Sequence, residues 1–426
     1  MNDSRWTRRR FLSTAASTAL AARSMAAQDT ASASRVSGAN TRLRIGIIGC
    51  GNRANLTHLP TINRHKSRVD HSVVTIADPW RLAREKTAAR VRELYDSRPK
   101  QYGSYRELLQ MKDLDAVMIA SPDHVHTLHL EAAARAGKHI YCEKPMGIDL
   151  ASTVRAFDAA KAAGTVVQIG TQQRSIPGSV GARDFYRTGM LGKVSRIEEV
   201  RNAEKPYWYK HLRDVDIVKA KDLDWEEFMG GLPPQPFDPR KFAAWYGYYE
   251  FSQGPIPQWG VHFIDLAHFI TGCGFPESCV CMADTYVWKD ENQFTAPDQA
   301  QAVWTYPEGF MLSFTSNLGN GFGNGRKIYG DKGLLNLDNW NYPTYSAEGG
   351  ARRDGSMRGV NKVERPDDYP DHFRNWLECM AEGDVNVAAP PEAGLQHAVA
   401  SIMAIRSFET GKRTRWDRQK REIVYG

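Results

Sequence analysis

Cysteine is scarce: six occur among 426 residues, at 50, 142, 273, 279, 281 and 379, without the repeated pair spacing of a disulfide framework or a zinc site. Cys50 and Cys142 lie in apolar strand-like runs, where a thiol acts as a small buried hydrophobe. Only Cys273, Cys279 and Cys281 cluster, and an oxidising compartment would allow one bridge among them. No internal repeat or low-complexity tract is present. Charge of one sign is also in short supply. The formal net charge is +7, but residues 1–27 hold five Arg and one Asp, so the remainder carries +3 and nucleic-acid binding loses its electrostatic support. What is present is 42% hydrophobic and 25% charged residues, the balance of a soluble globular enzyme, in a chain long enough for two domains.

The basic residues concentrate in Thr7-Arg8-Arg9-Arg10-Phe11-Leu12-Ser13, followed at 14–27 by a short Ala-rich stretch ending in small residues. That stretch is too short and too polar to span a bilayer. The segment resembles a twin-arginine export signal, with cleavage near Ala26 or Ala27. The resemblance implies the export machinery as a partner, a periplasmic or otherwise exported protein, and transport of a folded chain that acquires its cofactor beforehand. Residues 28–41 are small and polar, as in a linker.

From Leu43 onward, apolar runs (LRIGIIG, SVVTIAD, LDAVMIAS, HIYCEKP, TVVQIGT) alternate with segments of helical period near 54–64, 80–95, 104–111, 125–136 and 150–163. This alternation predicts an α/β fold whose first domain, over 42–165, is a doubly wound parallel sheet of Rossmann type, buried on both faces. After residue 175 the strands lengthen and alternate apolar with polar residues, as in KVSRIEEVRNAE and AQAVWTYPEGFMLSFTSNL. They predict an open, mostly antiparallel sheet with one covered face in a second domain over 166–426, closed by helices at 370–382 and 392–410.

Gly49-Cys50-Gly51-Asn52-Arg53-Ala54 follows the first predicted strand and opens the first helix, the context in which glycines let a backbone approach a pyrophosphate at a helix N-terminus. Asp78 ends the second strand, 27 residues beyond Gly51, where a carboxylate accepts from a ribose diol and repels a 2′-phosphate. NAD is therefore the expected cofactor. Arg81 and Arg53 lie near enough to keep NADP open.

Further along stand Ser121-Pro122, His126, Ala136-Gly137-Lys138 and Glu143-Lys144-Pro145, and later Gly260-Val261-His262-Phe263-Ile264-Asp265 and HFRNWLECMAEG. In this order the chain resembles the glucose-fructose oxidoreductase, inositol dehydrogenase and rhizopine catabolism (Gfo/Idh/MocA) family across about residues 42–420. The resemblance implies a substrate held between the two domains and a homo-oligomer, dimer or tetramer. It assigns Gly49, Gly51, Asn52, Arg53, Asp78, Ser121, Pro122, His126, Glu143, Lys144 and Gln172 to the cofactor side. Lys144 would lie near the nicotinamide and hydrogen-bond the reacting hydroxyl, and His262 would act as general base in oxidation. Many members carry Asp four residues before that histidine, where this chain has Gln258. An amide there orients a hydroxyl but does not stabilise an imidazolium. Asp265, one turn beyond His262, either supplies that charge or is structural.

Aromatics crowd residues 207–259, Tyr207, Trp208 and Trp259 among them, interleaved with Lys210, His211 and Arg213. Together with Arg174 they suit the apolar faces and hydroxyl rim of a pyranose, and equally a subunit contact. His124, His126 and His129 lack a carboxylate or cysteine that would complete a metal site, and Gly319–Gly325 precedes no helix, so it reads as a turn. The leading expectation is an exported NAD(P)-dependent oxidoreductase acting on a CH–OH group of a sugar or sugar derivative, with tightly held, internally recycled cofactor. A redox-neutral NAD-dependent glycosidase and a non-catalytic sugar-binding protein are the rival readings.

Overall fold

Six strands, β1 (Leu43–Ile48), β2 (His71–Ala77), β3 (Lys100–Tyr102), β4 (Ala116–Ile119), β5 (His139–Cys142) and β6 (Val167–Ile169), form a parallel sheet in the order β3-β2-β1-β4-β5-β6. The computed structural model describes residues 42–353 and 355–426, so the signal and linker expectations for 1–27 and 28–41 lie outside the described residues. Ile45, Ile47, Val117, Met118 and Ile140 are fully buried, because helices cover both faces of the sheet. The strand order reverses between β1 and β4, and the crevice at their C-terminal ends is where such sheets take ligands. The fold class is as expected.

The domain boundary is not. β6 pairs with β5, so the first sheet runs one strand past residue 165. The chain also returns to it late: Phe373, Trp376, Leu377 and Met380 of helix His372–Glu382 pack with Ile45, Ile47 and Val73. The apolar run at β6 and the helix near 370–382 are both legible locally; which sheet each joins is decided by tertiary pairing, which leaves no local signal.

The second sheet has ten strands: β7 (Val194–Val200), β8 (Ser278–Asp284), β9 (Gln299–Thr305), β10 (Met311–Asn317), β11 (Gly325–Gly330), β12 (Leu334–Asn336), β13 (Thr344–Ser346), β14 (Asn361–Lys362), β15 (Thr414–Asp417) and β16 (Glu422–Tyr425). Their order is β14-β13-β12-β11-β7-β10-β9-β8-β15-β16, antiparallel except for the β7–β10 pair. Ala302, Trp304, Leu312 and Phe314 point inward onto helices Val261–Thr271 and Pro391–Thr410, while Val280, Met282 and Met311 face outward and are exposed. All six cysteines are free; Cys279 and Cys281 point to the same buried face of β8 and are not bridged.

Candidate active site

A cleft of about 650 Å³ opens at the sheet's switch point and runs between the two domains. At one end Gly49, with φ +94°, turns the chain out of β1. A Cβ here would meet Ser121 N at 2.5 Å and Ala120 C at 2.6 Å, so only glycine lets the loops after β1 and β4 touch. A Cβ on Gly51 would meet nothing within 4 Å, which leaves open space on the side where a pyrophosphate approaches. Asn52, Pro122 and Arg53 line the same wall.

Asp78 accepts from the backbone N–H of Cys50 at 2.7 Å and of Trp80 at 2.8 Å, which aims its carboxylate along the crevice. Burial pushes it up to about 6, against the pull of those two N–H groups. Arg81 is tied to Asp222 at 2.7 Å and to Glu85 at 2.5 Å, and Arg53 donates to Glu143 at 2.6 Å. Neither guanidinium is thus left free for a 2′-phosphate, and the donor set fits NAD.

At the other end the loop after β5 brings in Lys144, whose Nζ donates to the backbone carbonyl of Gln258 at 2.8 Å. The Lys144–Pro145 peptide is cis. Gln258 lies in a π-helical turn, Ile256–Gly260, that runs into helix Val261–Thr271, and His262 opens the latter on the cleft side. His262 Nδ1 and the Tyr207 hydroxyl are buried without hydrogen-bond partners, the sort of orphaned polar atoms that a ligand satisfies. Burial first, then the Lys144 ammonium, holds the His262 imidazole well below its ordinary value, so it rests neutral and able to accept a proton. Burial likewise lowers Lys144, opposed by the carboxylates of Asp123 and Glu143.

Glu143, Ser121 and His126 line the cleft while bonding within the protein, and Gln172 lies one step behind it. Glu143 accepts from Arg53, from His58 at 2.8 Å and from its neighbour's N–H; burial would raise it, but the Arg53 charge and the His58 bond hold it well below the carboxylate range. Gln172 accepts from Arg53 Nη2 at 2.6 Å and does not line the cleft. The Ser121 hydroxyl pairs with His129, and the two ring nitrogens of His126 meet the carbonyls of Pro145 and Ser121 at 2.7 and 2.8 Å, stapling the loop after β4 to the loop after β5. With His124 bonded to the Phe228 carbonyl, all three histidines hold structure.

Two substrate assignments are corrected. Arg174 makes a bidentate pair with Asp265 at 2.8 and 2.9 Å, beneath the site and away from the cleft, which also answers the question of Asp265: its charge is taken by Arg174. Trp208 is 1% exposed, packed beside Phe294 in the core of segment 207–252. Tyr207 and Trp259 do line the cleft, tilted together at 5.0 Å, with Tyr246 alongside. Asp123 and Tyr246 are the functional candidates the motifs did not single out. An acidic residue after Pro at the start of a helical turn looks like a cap, and its burial against Gln258 depends on the other domain.

Segment 207–252 reaches from the second domain onto the first. Leu223 makes an antiparallel bridge to Trp80, Asp224 N donates to the Pro79 carbonyl at 3.1 Å, and Glu227 accepts from Ser104 and Arg106, each at 2.7 Å. Ile217, Val218, Phe242 and Trp245 wall the cleft beside Asp78 and Trp80.

Two family models match: an oxidoreductase family with NAD-binding Rossmann fold over residues 43–171, and the GFO/IDH/MocA C-terminal domain over 228–336. The chain belongs to the Gfo/Idh/MocA oxidoreductase family. Its cofactor is NAD. The myo-inositol 2-dehydrogenase of Thermotoga maritima is 27% identical over 381 residues, 86% of this chain and 96% of that protein. An uncharacterized oxidoreductase of Bacillus subtilis, YrbE, is 33% identical over 179 residues, 41% of this chain, which thus spans about half (47%) of that relative's length. Among solved structures, levoglucosan dehydrogenase in complex with NADH superposes with a TM-score of 0.67 at 17% identity, over 87% of this chain and 98% of that one, a likeness of fold.

Proposed function

We propose that this protein is an exported NAD-dependent dehydrogenase that oxidises a ring hydroxyl of a sugar or sugar derivative and keeps its dinucleotide between turnovers. The observation that carries this reading is the convergence of Lys144, Gln258 and His262 at one end of the cleft whose other end is built by Gly49, Gly51 and Asp78. Tyr207, Trp259 and Tyr246 offer apolar faces to the C–H side of a pyranose, and Lys144 Nζ and His262 face its hydroxyl. The hydroxyl proton passes to the neutral imidazole of His262 while the C–H bond releases hydride and the carbon becomes a carbonyl; Lys144 holds the oxygen as its charge grows. Bound NAD supplies the hydride acceptor. The T. maritima and levoglucosan relatives, named for acting on a polyol and an anhydrosugar, support the substrate class.

Retention is supported by the latch of segment 207–252 over the loops after β2 and β3, and export by the signal-like Thr7–Ser13. A cofactor held in this way implies that a second substrate closes the cycle. The exposed Val280, Met282 and Met311 on the outer sheet face support a homo-oligomer. The test is to purify the exported protein, denature it and identify the released dinucleotide, then offer the native protein aldoses, polyols and glycosides. Stoichiometric NAD and reduction on adding a free sugar are expected. An empty protein that binds NAD weakly would refute retention, and release of sugar from a glycoside without net reduction would favour the glycosidase.

A further inference from the structure

Asp123 is a buried carboxylate, 4% exposed, at the start of the helical turn Asp123–Val125 behind β4, and it lines the same cleft as Lys144. It accepts from Nε2 of Gln258, and the backbone carbonyl of Gln258 accepts from Lys144 Nζ at 2.8 Å. One residue therefore bridges an anion from the loop after β4 and a cation from the loop after β5. We propose that Asp123 is the counter-ion of Lys144 and a positioning residue for the proposed dehydrogenase reaction: it keeps Lys144 an ammonium and fixes the amide of Gln258.

Charge balance at this end of the cleft leads to that assignment. The charged and titratable groups around Lys144 are Asp123, Glu143, Arg53 and the three neutral histidines His126, His262 and His397. Glu143 is already bound by Arg53 at 2.6 Å and His58 at 2.8 Å, and the buried, neutral His262 has no negative charge to give. Asp123 is thus the one carboxylate of this set without a guanidinium of its own, and without it the cleft would hold an uncompensated buried ammonium, which proteins avoid. Burial raises Asp123 and lowers Lys144, and each opposes the shift of the other. The amide follows from the same geometry. An ionised carboxylate only accepts, so Gln258 must turn Nε2 toward Asp123, which leaves Oε1 as the acceptor presented to a substrate O–H. The neutral residue at 258 is thereby joined to a carboxylate supplied by the first domain.

The inference rests on the dehydrogenase reading, and its test does not require turnover. Purified protein carrying its dinucleotide is treated with acetic anhydride across a pH series, and acetylation of Lys144 is read by mass spectrometry in the wild type, Asp123→Asn and Asp123→Glu, with thermal melts to establish folding. Loss of the counter-ion should move the half-acetylation point of Lys144 down by about one pH unit or more in Asp123→Asn, while Asp123→Glu stays near the wild type. Where sugar oxidation is measurable, the alkaline limb of kcat/KM should move down by the same amount. An unchanged Lys144 profile in folded Asp123→Asn overturns the pairing even if the enzyme is an active dehydrogenase, as does an equal shift in both variants. If Asp123→Asn does not fold, a glutamate variant displaced by a full unit contradicts the proposal. A shifted Lys144 profile in a protein that oxidises no sugar would remove the dehydrogenase reading and leave the ion pair.

Discussion

At the scale of single residues, the proposed reaction gives Lys144 and Asp78 separable duties. Lys144→Ala should lower kcat by about a hundredfold or more, the size of a lost proton-handling group, while dinucleotide content stays the same. Asp78 should show itself in binding: a ribose diol favours the ionised carboxylate, which burial holds at about 6, so NAD affinity of stripped protein should fall as pH drops through that value. Asp78→Asn should bind more weakly and lose the pH dependence, as isothermal titration can show. Asp78 was legible because its spacing from the glycine turn places it at a strand end, and Lys144 through the resemblance that its Glu-Lys-Pro motif carries. Arg174, Trp208 and Asp123 were not, since which of their neighbours they meet is decided by the second domain, through Asp265, Phe294 and Gln258 respectively.

At the scale of elements, segment 207–252 is the part that sequence described least. Its helices Trp225–Met229, Pro239–Ala243 and Tyr249–Ser252 are too short for a periodic signal, so only its aromatic density stood out. Five of the six parallel strands were legible by contrast, because burial on both faces makes each a largely apolar run, whereas the edge strand β3 is polar and exposed and gave no such run. The latch has a kinetic consequence. Leu223→Ala, which empties a buried contact against Trp80, should speed NADH release about tenfold. Asp222→Ala breaks a pair whose arginine is half exposed and should change release only a few-fold. Stopped-flow displacement followed by nicotinamide fluorescence distinguishes the two.

For the whole molecule, burial of histidines makes stability depend on pH. Burial lowers His124 to about 4, His268 to about 3 and His372 to about 4, from 6.5 when exposed. Between about 6.5 and 4 the unfolded chain therefore binds more protons than the folded one. Stability should fall with falling pH in that window by about 1.4 kcal/mol per unit for each such histidine. Urea titrations at fixed cofactor occupancy, from neutral pH downward, measure the slope. His124 is buried against Phe228 and Phe251 of the segment that walls the cleft, so acid loss of that contact and loss of cofactor should coincide. The central claim is that one bound dinucleotide, Lys144 and His262 together oxidise a sugar hydroxyl. Its most direct test is a single-turnover experiment: mix protein loaded with NAD, none free in solution, with a panel of aldoses, polyols and their derivatives, and follow the near-ultraviolet absorbance of reduced nicotinamide. The account predicts a rise of up to one equivalent per chain that is lost in Lys144→Ala; no rise with any member of the panel, or an undiminished rise in that variant, would contradict it.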